Sequence, residues 1–307
     1  MRRCCCEFCP LPPSRQSGAC IQHHPRLPTP PKTSQDQAQL MATGHVPSSS
    51  DIRTDDDIRT NDDIRTDDDT AYLYAFADDS IPPLKVHQDP SGSKWSAGIG
   101  ATVWDSALVA VNYFERLASE GRLPPCHRIV EIGAGTGLLG LALATVIAHS
   151  PASAPLDDST RSHPPSQRQL VLTDKAGTIP LLNHNLTLAL ARDSALAKVF
   201  RISTEVLEWS DPSVSDGPVA RLAPDLVLIA DCVHWPELFT PLIATLEAIS
   251  SHETLIVLAY ERRNFDVEVE FFAQLGKKFS FAHVPEDSQG YDYRSEDIYL
   301  FTCRKRI

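Results

Sequence analysis

The chain has 307 residues, enough for one large domain or two small ones, and its formal net charge is −12. This acidity argues against a nucleic-acid-binding surface and suits basic partners, although it also serves ordinary solubility. Of the eight cysteines, only Cys126, Cys232 and Cys303 lie beyond the first 20 residues. Three scattered cysteines do not make a disulfide framework, so a reducing compartment is favoured.

The N-terminal stretch "MRRCCCEFCP" is basic but is not followed by the apolar segment of a secretory signal. Its cysteines suggest metal binding or palmitoylation as alternatives, but they lack paired C-x-x-C spacing, so we expect a solvated tail and no metal site. No apolar run reaches the roughly 18 residues of a membrane span. We therefore expect no membrane contact and a location in the cytoplasm, with the nucleus as a second compartment. We also expect a monomer.

Residues 1–70 are predicted to form a disordered, low-complexity tail. A hexad of the form DIRT[DN]D begins at Asp51 and repeats at Asp57 and Asp63. Its alternating carboxylates suggest calcium, but the glycine and terminal glutamate of a calcium loop are missing. Low apolar content and abundant charge favour disorder instead.

From residue 71 onward, strand-like and helix-like segments alternate, which predicts an α/β domain over 71–307. A Pro/Ser/Asp-rich stretch at 150–167 is predicted to be a surface insertion. The predicted strands cover 128–133, 168–174, 198–203, 224–231, 253–261, 279–284 and 296–305. The predicted helices cover 101–121, 137–149, 176–193, 236–250 and 264–278.

The last two predicted strands have no helical pattern between them, so they should form an antiparallel pair. A dinucleotide-binding domain usually continues into a substrate domain. Here the chain stops at Ile307, soon after its last strand. We therefore expect a single domain whose seven-stranded, mostly parallel sheet ends in an antiparallel hairpin.

The glycine-rich turn in "IVEIGAGTGLLGLALA" fits two ligand-binding patterns. Gly135, Gly137 and Gly140 match the dinucleotide pattern G-x-G-x-x-G. Glu131, Gly133, Gly135 and Gly137 match the E-x-G-x-G-x-G turn of S-adenosylmethionine (AdoMet) sites. A carboxylate at this strand end suits the ammonium and sulfonium charges of AdoMet better than it suits a pyrophosphate, so AdoMet is favoured.

Three further residues are candidates for contact with a nucleoside. Asp174 ends the second predicted strand, where it can accept hydrogen bonds from ribose hydroxyls or cap the following helix. Trp209 is placed to stack on an adenine ring or to pack in the core. Trp104 belongs either to the core or to a lid over the ligand.

The end of the fourth predicted strand, "IADCVHWPEL", is where doubly wound sheets place chemistry. Asp231 precedes a helix that begins near Pro236, so it either caps that helix or orients an incoming amine. His234 is either a surface or capping histidine or part of the same pocket.

Together these residues make the sequence resemble family 16 of the seven-β-strand protein-lysine methyltransferases, the methyltransferase-like 21 group. The resemblance covers nearly everything from about Trp95 to the C-terminus. It is carried by "GATVWDSALVAVNYFE", "VEIGAGTGLLGLALA", "LTDKAGTIPLLNHNL", "LEWSDP", "LIADCVHWPELFTPLIATL" and "LAYERRN". The terminal "YDYRSEDIYLFTCRKR" is most similar to the branch that methylates valosin-containing protein, a hexameric AAA+ ATPase.

The resemblance implies a Rossmann-like class I AdoMet-dependent methyltransferase fold and a D-x-x-Y element beside the target lysine. Here that element is Asp231-Cys-Val-His234, so histidine replaces the family's tyrosine and alters part of the substrate pocket. The implied substrate is a protein lysine, on an AAA+ ATPase or a chaperone. The implied AdoMet contacts are Trp104, Gly133, Ala134, Gly135, Asp174, Trp209 and Ala230.

Three rival functions stay open at this stage. A small-molecule methyltransferase usually adds a covering domain, and no such segment is visible. The histidine at 234 suggests a catalytically silent AdoMet-binding or interaction protein. An NAD-linked oxidoreductase is the least favoured.

Overall fold

The computed structural model describes residues 71–91, 94–95, 98–150, 167–209, 211–285 and 297–307. The predicted tail over 1–70 and most of the predicted insertion over 150–167 therefore lie outside the described residues. Within the described ranges, no helix is long and apolar enough to cross a membrane.

Nine strands and seven α-helices are assigned in the described residues. The strands are β1 Ala71–Tyr74, β2 Leu84–His87, β3 Arg128–Ile132, β4 Arg168–Asp174, β5 Phe200–Val206, β6 Leu226–Ala230, β7 Leu255–Glu261, β8 Phe279–His283 and β9 Ile298–Lys305. The helices are α1 Asp105–Ser119, α2 Leu138–His149, α3 Ile179–Arg192, α4 Ser194–Val199, α5 Pro218–Arg221, α6 Phe239–Ile249 and α7 Phe265–Leu275. Short 3-10 turns cover Gly98–Ala101, Pro212–Asp216 and Pro236–Leu238.

Seven strands form one sheet in the order β5-β4-β3-β6-β7-β9-β8. The pairs among β3 to β7 are parallel, and β9 pairs antiparallel with both β7 and β8. This confirms the predicted class I methyltransferase arrangement, a mostly parallel sheet with a terminal antiparallel pair. Because β3 has β4 on one side and β6 on the other, the chain reverses its direction of winding there, where such sheets open a ligand crevice.

The two faces of the sheet pack against different helices because side chains alternate along each strand. Ile129 packs on the side of α1 to α4, whereas Val130 packs on the side of α6 and α7. Helix α2 is apolar on every side, and its residues from Leu138 to Ile147 are all buried. An apolar sequence of this kind is typical of a helix enclosed by other elements.

Some of the predicted elements differ from the structure. The antiparallel hairpin β1–β2 was not predicted as separate strands. The predicted strand over 198–203 starts only at Phe200, because Asp193 accepts a hydrogen bond from the Ala195 N–H and caps the additional helix α4. At the two predicted starts Ala101 and Pro236, the structure has 3-10 turns, and the α-helices begin later.

Candidate active site

A cavity of about 930 Å³ lies where β3, β4 and β6 end. Ten of the eleven predicted site residues line it, and only Gly137 does not. The fold thus brings together predicted residues that are up to 130 positions apart in the sequence, from Trp104 to His234. The ten are Trp104, Glu131, Gly133, Ala134, Gly135, Asp174, Trp209, Ala230, Asp231 and His234.

The glycine turn after β3 needs glycine for both conformation and space. Gly133 has φ +63°, and a Cβ there would lie 2.6 Å from the Cys232 Sγ. Gly135 has φ +55°, and a Cβ there would lie 2.6 Å from the Gly100 carbonyl oxygen. The bare backbone therefore forms a wall of the cavity that side chains would close.

Gly137 has a different task. With φ +81° it precedes α2, and a Cβ there would lie 2.7 Å from the Leu182 Cδ1. It therefore faces the core, and the structure gives it a packing role beside α3. Its predicted contact with a ligand stays a prediction.

Glu131 is 2% exposed, and its Oε2 accepts a hydrogen bond from the Gly140 N–H at 2.9 Å. Burial raises the pKa of its carboxyl to about 8, with a smaller contribution from the nearby Asp174 carboxylate. A cation in the cavity would favour the ionised form of Glu131. The residue is therefore suited to a positively charged ligand.

Asp174 ends β4 with its two carboxylate oxygens divided between two backbone donors. Oδ2 accepts from the Gly135 N–H and Oδ1 from the Lys175 N–H, both at 2.8 Å. Burial raises its pKa, and these hydrogen bonds oppose that shift. The residue before α3 is Thr178, so Asp174 braces the glycine turn instead of standing at the N-cap of that helix.

The two tryptophans line the cavity in different ways: Trp209 also packs in the core, whereas Trp104 does not belong to a core cluster of the described residues. Trp209 lines the cavity and also packs against the core cluster that includes α6. Trp104 precedes α1 at the rim, 36% exposed, and its Nε1 donates to the Ile99 carbonyl at 3.1 Å. The ring of Trp104 is thus fixed over the cavity by its own chain.

Asp231 lies just beyond β6 in a left-handed conformation, with φ +55°. The residue is 7% exposed, and its carboxylate is held at two points by Arg263, whose Nη1 and Nη2 donate at 2.7 and 2.6 Å. A non-glycine residue at positive φ is a strained feature that clusters at functional sites. Asp231 is therefore locked in position, with an arginine as its partner.

His234 is half-buried, and its ring contacts Trp235 at 4.3 Å between centroids. Its Nδ1 lies 3.1 Å from the carbonyl oxygen of Asp231, which can only accept, so Nδ1 carries the proton. The other ring nitrogen, Nε2, is buried without a hydrogen-bond partner among the described residues. Burial lowers the pKa of His234, so its imidazole is neutral near pH 7.

The model of the lysine methyltransferase family matches residues 83–278 of this chain. The chain belongs to the lysine methyltransferase family. This membership confirms the expected enzyme class, an AdoMet-dependent lysine methyltransferase, and implies AdoMet as the methyl donor.

Two named relatives match most of the chain. Protein N-lysine methyltransferase METTL21A of Xenopus tropicalis is 26% identical over 247 residues, covering 76% of this chain and 97% of that protein. Protein-lysine N-methyltransferase EFM6 of Saccharomyces cerevisiae is 26% identical over 241 residues, covering 74% and 88%. These relatives agree with the methyltransferase-like 21 group. The branch that methylates valosin-containing protein stays a prediction.

Sequence reasoning missed Arg263, which lines the cavity beside Asp231. The residue lies in "LAYERRN", a run quoted for the resemblance, but no spacing rule distinguishes it from its neighbour Arg262. The one available signal is its position just after β7. Because β7 lies parallel to β6 in the sheet, residues that follow the two strands lie at the same edge of the sheet. Within the described residues, no cluster of metal-ligating side chains occurs.

Proposed function

We propose that this chain transfers a methyl group from AdoMet to the side-chain amine of a lysine on a protein. The observation that carries the proposal is the shared cavity at the ends of β3, β4 and β6. The lining includes the buried carboxyl groups of Glu131 and Asp174 at the glycine turn, which we call the nucleoside end, and Asp231 beside His234 after β6, which we call the substrate end. The first pair suits a cationic nucleoside, and the second suits an amine.

The residues at the nucleoside end fit AdoMet. Bare backbone at Gly133 and Gly135 leaves room for a ligand to approach the turn. Glu131 would balance the positive charges of the ligand, and Asp174 keeps lone pairs for ribose hydroxyls beyond its two backbone donors. When bound, AdoMet supplies a sulfonium methyl that the lysine nitrogen attacks, so an N–C bond forms as the S–C bond breaks and a neutral thioether leaves.

The same geometry disfavours a dinucleotide. A pyrophosphate would need the free N–H groups at the start of α2. There the Gly140 N–H already donates to the Glu131 carboxylate at 2.9 Å. A pyrophosphate would find this donor already used, and its negative charge would not favour the ionised form of Glu131 as a cation does, so the NAD-linked alternative is the weakest of the rivals.

The substrate end suits a lysine side chain. Trp235, whose ring contacts that of His234, is 43% exposed and lines the cavity, so it provides apolar surface for the aliphatic stem. An ordinary lysine has a pKa near 10.4, so only about one in a thousand is neutral at pH 7.4. Removal from water, together with a positive sulfur nearby, lowers that pKa and increases the nucleophilic fraction. The cavity would also accelerate the reaction by aligning the lysine nitrogen with the methyl group and the sulfur of AdoMet.

A protein target is supported by the two relatives, both named for methylation of protein lysine. The acidic side chains of Glu208 and Glu237 line the cavity, which suits a basic segment. We propose an AAA+ ATPase similar to valosin-containing protein, or a chaperone, as the target, on the strength of the terminal sequence resemblance. Action as a monomer in the cytoplasm, with the nucleus second, belongs to the same proposal.

The test is incubation of the full chain with methyl-labelled AdoMet and a cell extract. We expect one dominant labelled protein that is lost with Asp231→Asn. The matched control is Asp225→Asn. It removes a carboxylate that pairs with Arg128 at 2.5 Å and that does not line the cavity. Label only in small molecules would overturn the protein substrate and favour a small-molecule methyltransferase.

A second candidate is a catalytically silent AdoMet-binding protein, favoured by histidine at 234 in place of the tyrosine that the resemblance implies. Its signature is binding of AdoMet in calorimetry with no labelled product in any extract. Appearance of methyl-lysine in a labelled protein would exclude it.

A further inference from the structure

We propose that Arg263 is a positioning residue for methyl transfer: it fixes the Asp231 carboxylate and balances its charge, so that the cavity receives the lysine as a neutral amine. This inference rests on the proposed function. Nothing in the sequence pattern assigns a role to Arg263.

The contact between the two side chains is a two-point pair. Nη1 donates to Oδ1 at 2.7 Å and Nη2 to Oδ2 at 2.6 Å. Side-by-side bonds of this kind fix orientation as well as distance. The carboxylate cannot rotate without losing a hydrogen bond. The backbone of Asp231 is also strained, with φ +55°, so the surrounding contacts must stabilise this conformation.

Arg263 is itself held from three directions. Its backbone N–H donates to the buried Glu268 at 2.6 Å, and its Nη2 also donates to Glu261 at 2.7 Å. Its guanidinium lies 5.3 Å from the centre of the Trp104 ring, a cation–π contact. The arginine therefore ties the end of β7 to the start of α1 across the rim of the cavity.

The charge of the pair has a chemical consequence. A lone carboxylate would hold a lysine as ammonium and raise its pKa, which would remove the lone pair that must attack the methyl. The guanidinium beside Asp231 offsets that effect, and its hydrogen bonds with Asp231 raise its own pKa, so it stays charged. The paired carboxylate keeps free lone pairs with which to orient an N–H of the neutral amine.

Other titratable groups border the same cavity, and the test must separate them from Arg263. At the substrate end His234 titrates, and at the nucleoside end Glu131 and Asp174 have raised pKa values. Measuring at saturating AdoMet removes the effect of the nucleoside end on binding. The remaining charged or titratable groups are Lys175, Glu208, Cys232, Glu237, Glu261 and Glu268.

The experiment compares three variants of the full chain, each with labelled AdoMet at saturation and a cell extract as the methyl acceptor. Arg263→Gln removes both the charge and the two-point hydrogen bonding. Arg263→Lys keeps the charge but loses the two-point geometry, and Arg262→Gln is the control. Arg262 is the neighbouring arginine, but it pairs with Asp297 and does not line the cavity. Initial rates are measured across pH 6 to 9.

We expect Arg263→Gln to lower the rate about 100-fold at pH 7.5, as a misplaced reacting group does. The midpoint of its pH–rate profile should also lie about one pH unit above that of wild type, because the amine now faces a carboxylate whose charge is not balanced. Arg263→Lys should lose about tenfold in rate without that shift, since it restores charge but not two-point geometry. Arg262→Gln should match wild type in both respects. The same series is then repeated in a His234→Tyr background, so that titration of the His234 imidazole no longer contributes to the pH–rate profile.

A role in stability alone would reduce the amount of folded enzyme without moving the pH profile. The proposal is overturned when Arg263→Gln and Arg262→Gln give the same pH midpoint, or when Arg263→Gln keeps the wild-type rate. Absence of labelling by wild type would instead refute the proposed function, so the two failures are distinguishable.

Discussion

The protonation of Glu131 gives the sharpest prediction about the cofactor end of the cavity. With a pKa of about 8, its carboxyl is about nine-tenths protonated at pH 7 in the free enzyme. The positive charges of AdoMet favour the ionised form. Binding at pH 7 should therefore release close to one proton, and the affinity should rise about tenfold between pH 6 and pH 7.

The assay is calorimetric titration of the full chain with AdoMet in two buffers of different ionisation enthalpy. Glu131→Gln keeps an oxygen that accepts from the Gly140 N–H but cannot ionise. We expect this variant to bind with an affinity that does not change over the same pH range, close to that of wild type at pH 6. Asp174→Asn is the control for the neighbouring carboxyl, whose pKa burial also raises. Equal heats in both buffers for wild type, or the same pH slope in wild type and Glu131→Gln, would refute the assignment of Glu131 to a cationic ligand.

Three further outcomes follow from the same residues. Because the folded pKa of Glu131 lies above the unfolded value, the free enzyme should lose about 2.5 kcal/mol of stability between pH 5.5 and 7.5 in urea unfolding, and Glu131→Gln should remove that slope. Gly133→Ala should cost more than Gly121→Ala in the same assay: both have φ near +64°, worth about 1–2 kcal/mol each, but only Gly133 has the Cys232 sulfur 2.6 Å from the new Cβ. Equal costs would show that the wall at Gly133 is not tight. His234→Tyr should keep or raise the methylation rate if the ring only shapes the pocket, and a large fall would give the imidazole a chemical role.

The sheet was predictable from the sequence because buried parallel strands and amphipathic helices leave strong periodic patterns. The terminal strand pair was predicted from the lack of a helical sequence pattern between the last two predicted strands. By contrast, α4 was not predicted as a separate helix, since its six residues are too few to show a helical period. The short strands β1 and β2 are four residues each; β1 packs on β2 and β2 packs on α3, contacts that no local pattern reveals.

The cavity lining was predictable where a residue stands at the end of a recognisable strand, as Asp174 and Asp231 do. Glycine spacing located the turn, but it could not separate Gly133 and Gly135, which form the wall, from Gly137, which faces Leu182. Arg263 was not predictable, because its role depends on β7 lying beside β6 in the sheet. Charge balance around Asp231 is a property of the folded neighbourhood and is not encoded at either position alone.

A cavity that accepts a sulfur nucleoside without phosphates should distinguish S-adenosylhomocysteine from a dinucleotide. The most direct test of this claim is titration of the full chain with S-adenosylhomocysteine and, separately, with NADH. We predict saturable binding of one S-adenosylhomocysteine per chain and no heat with NADH. Binding of NADH with no response to S-adenosylhomocysteine would contradict the claim.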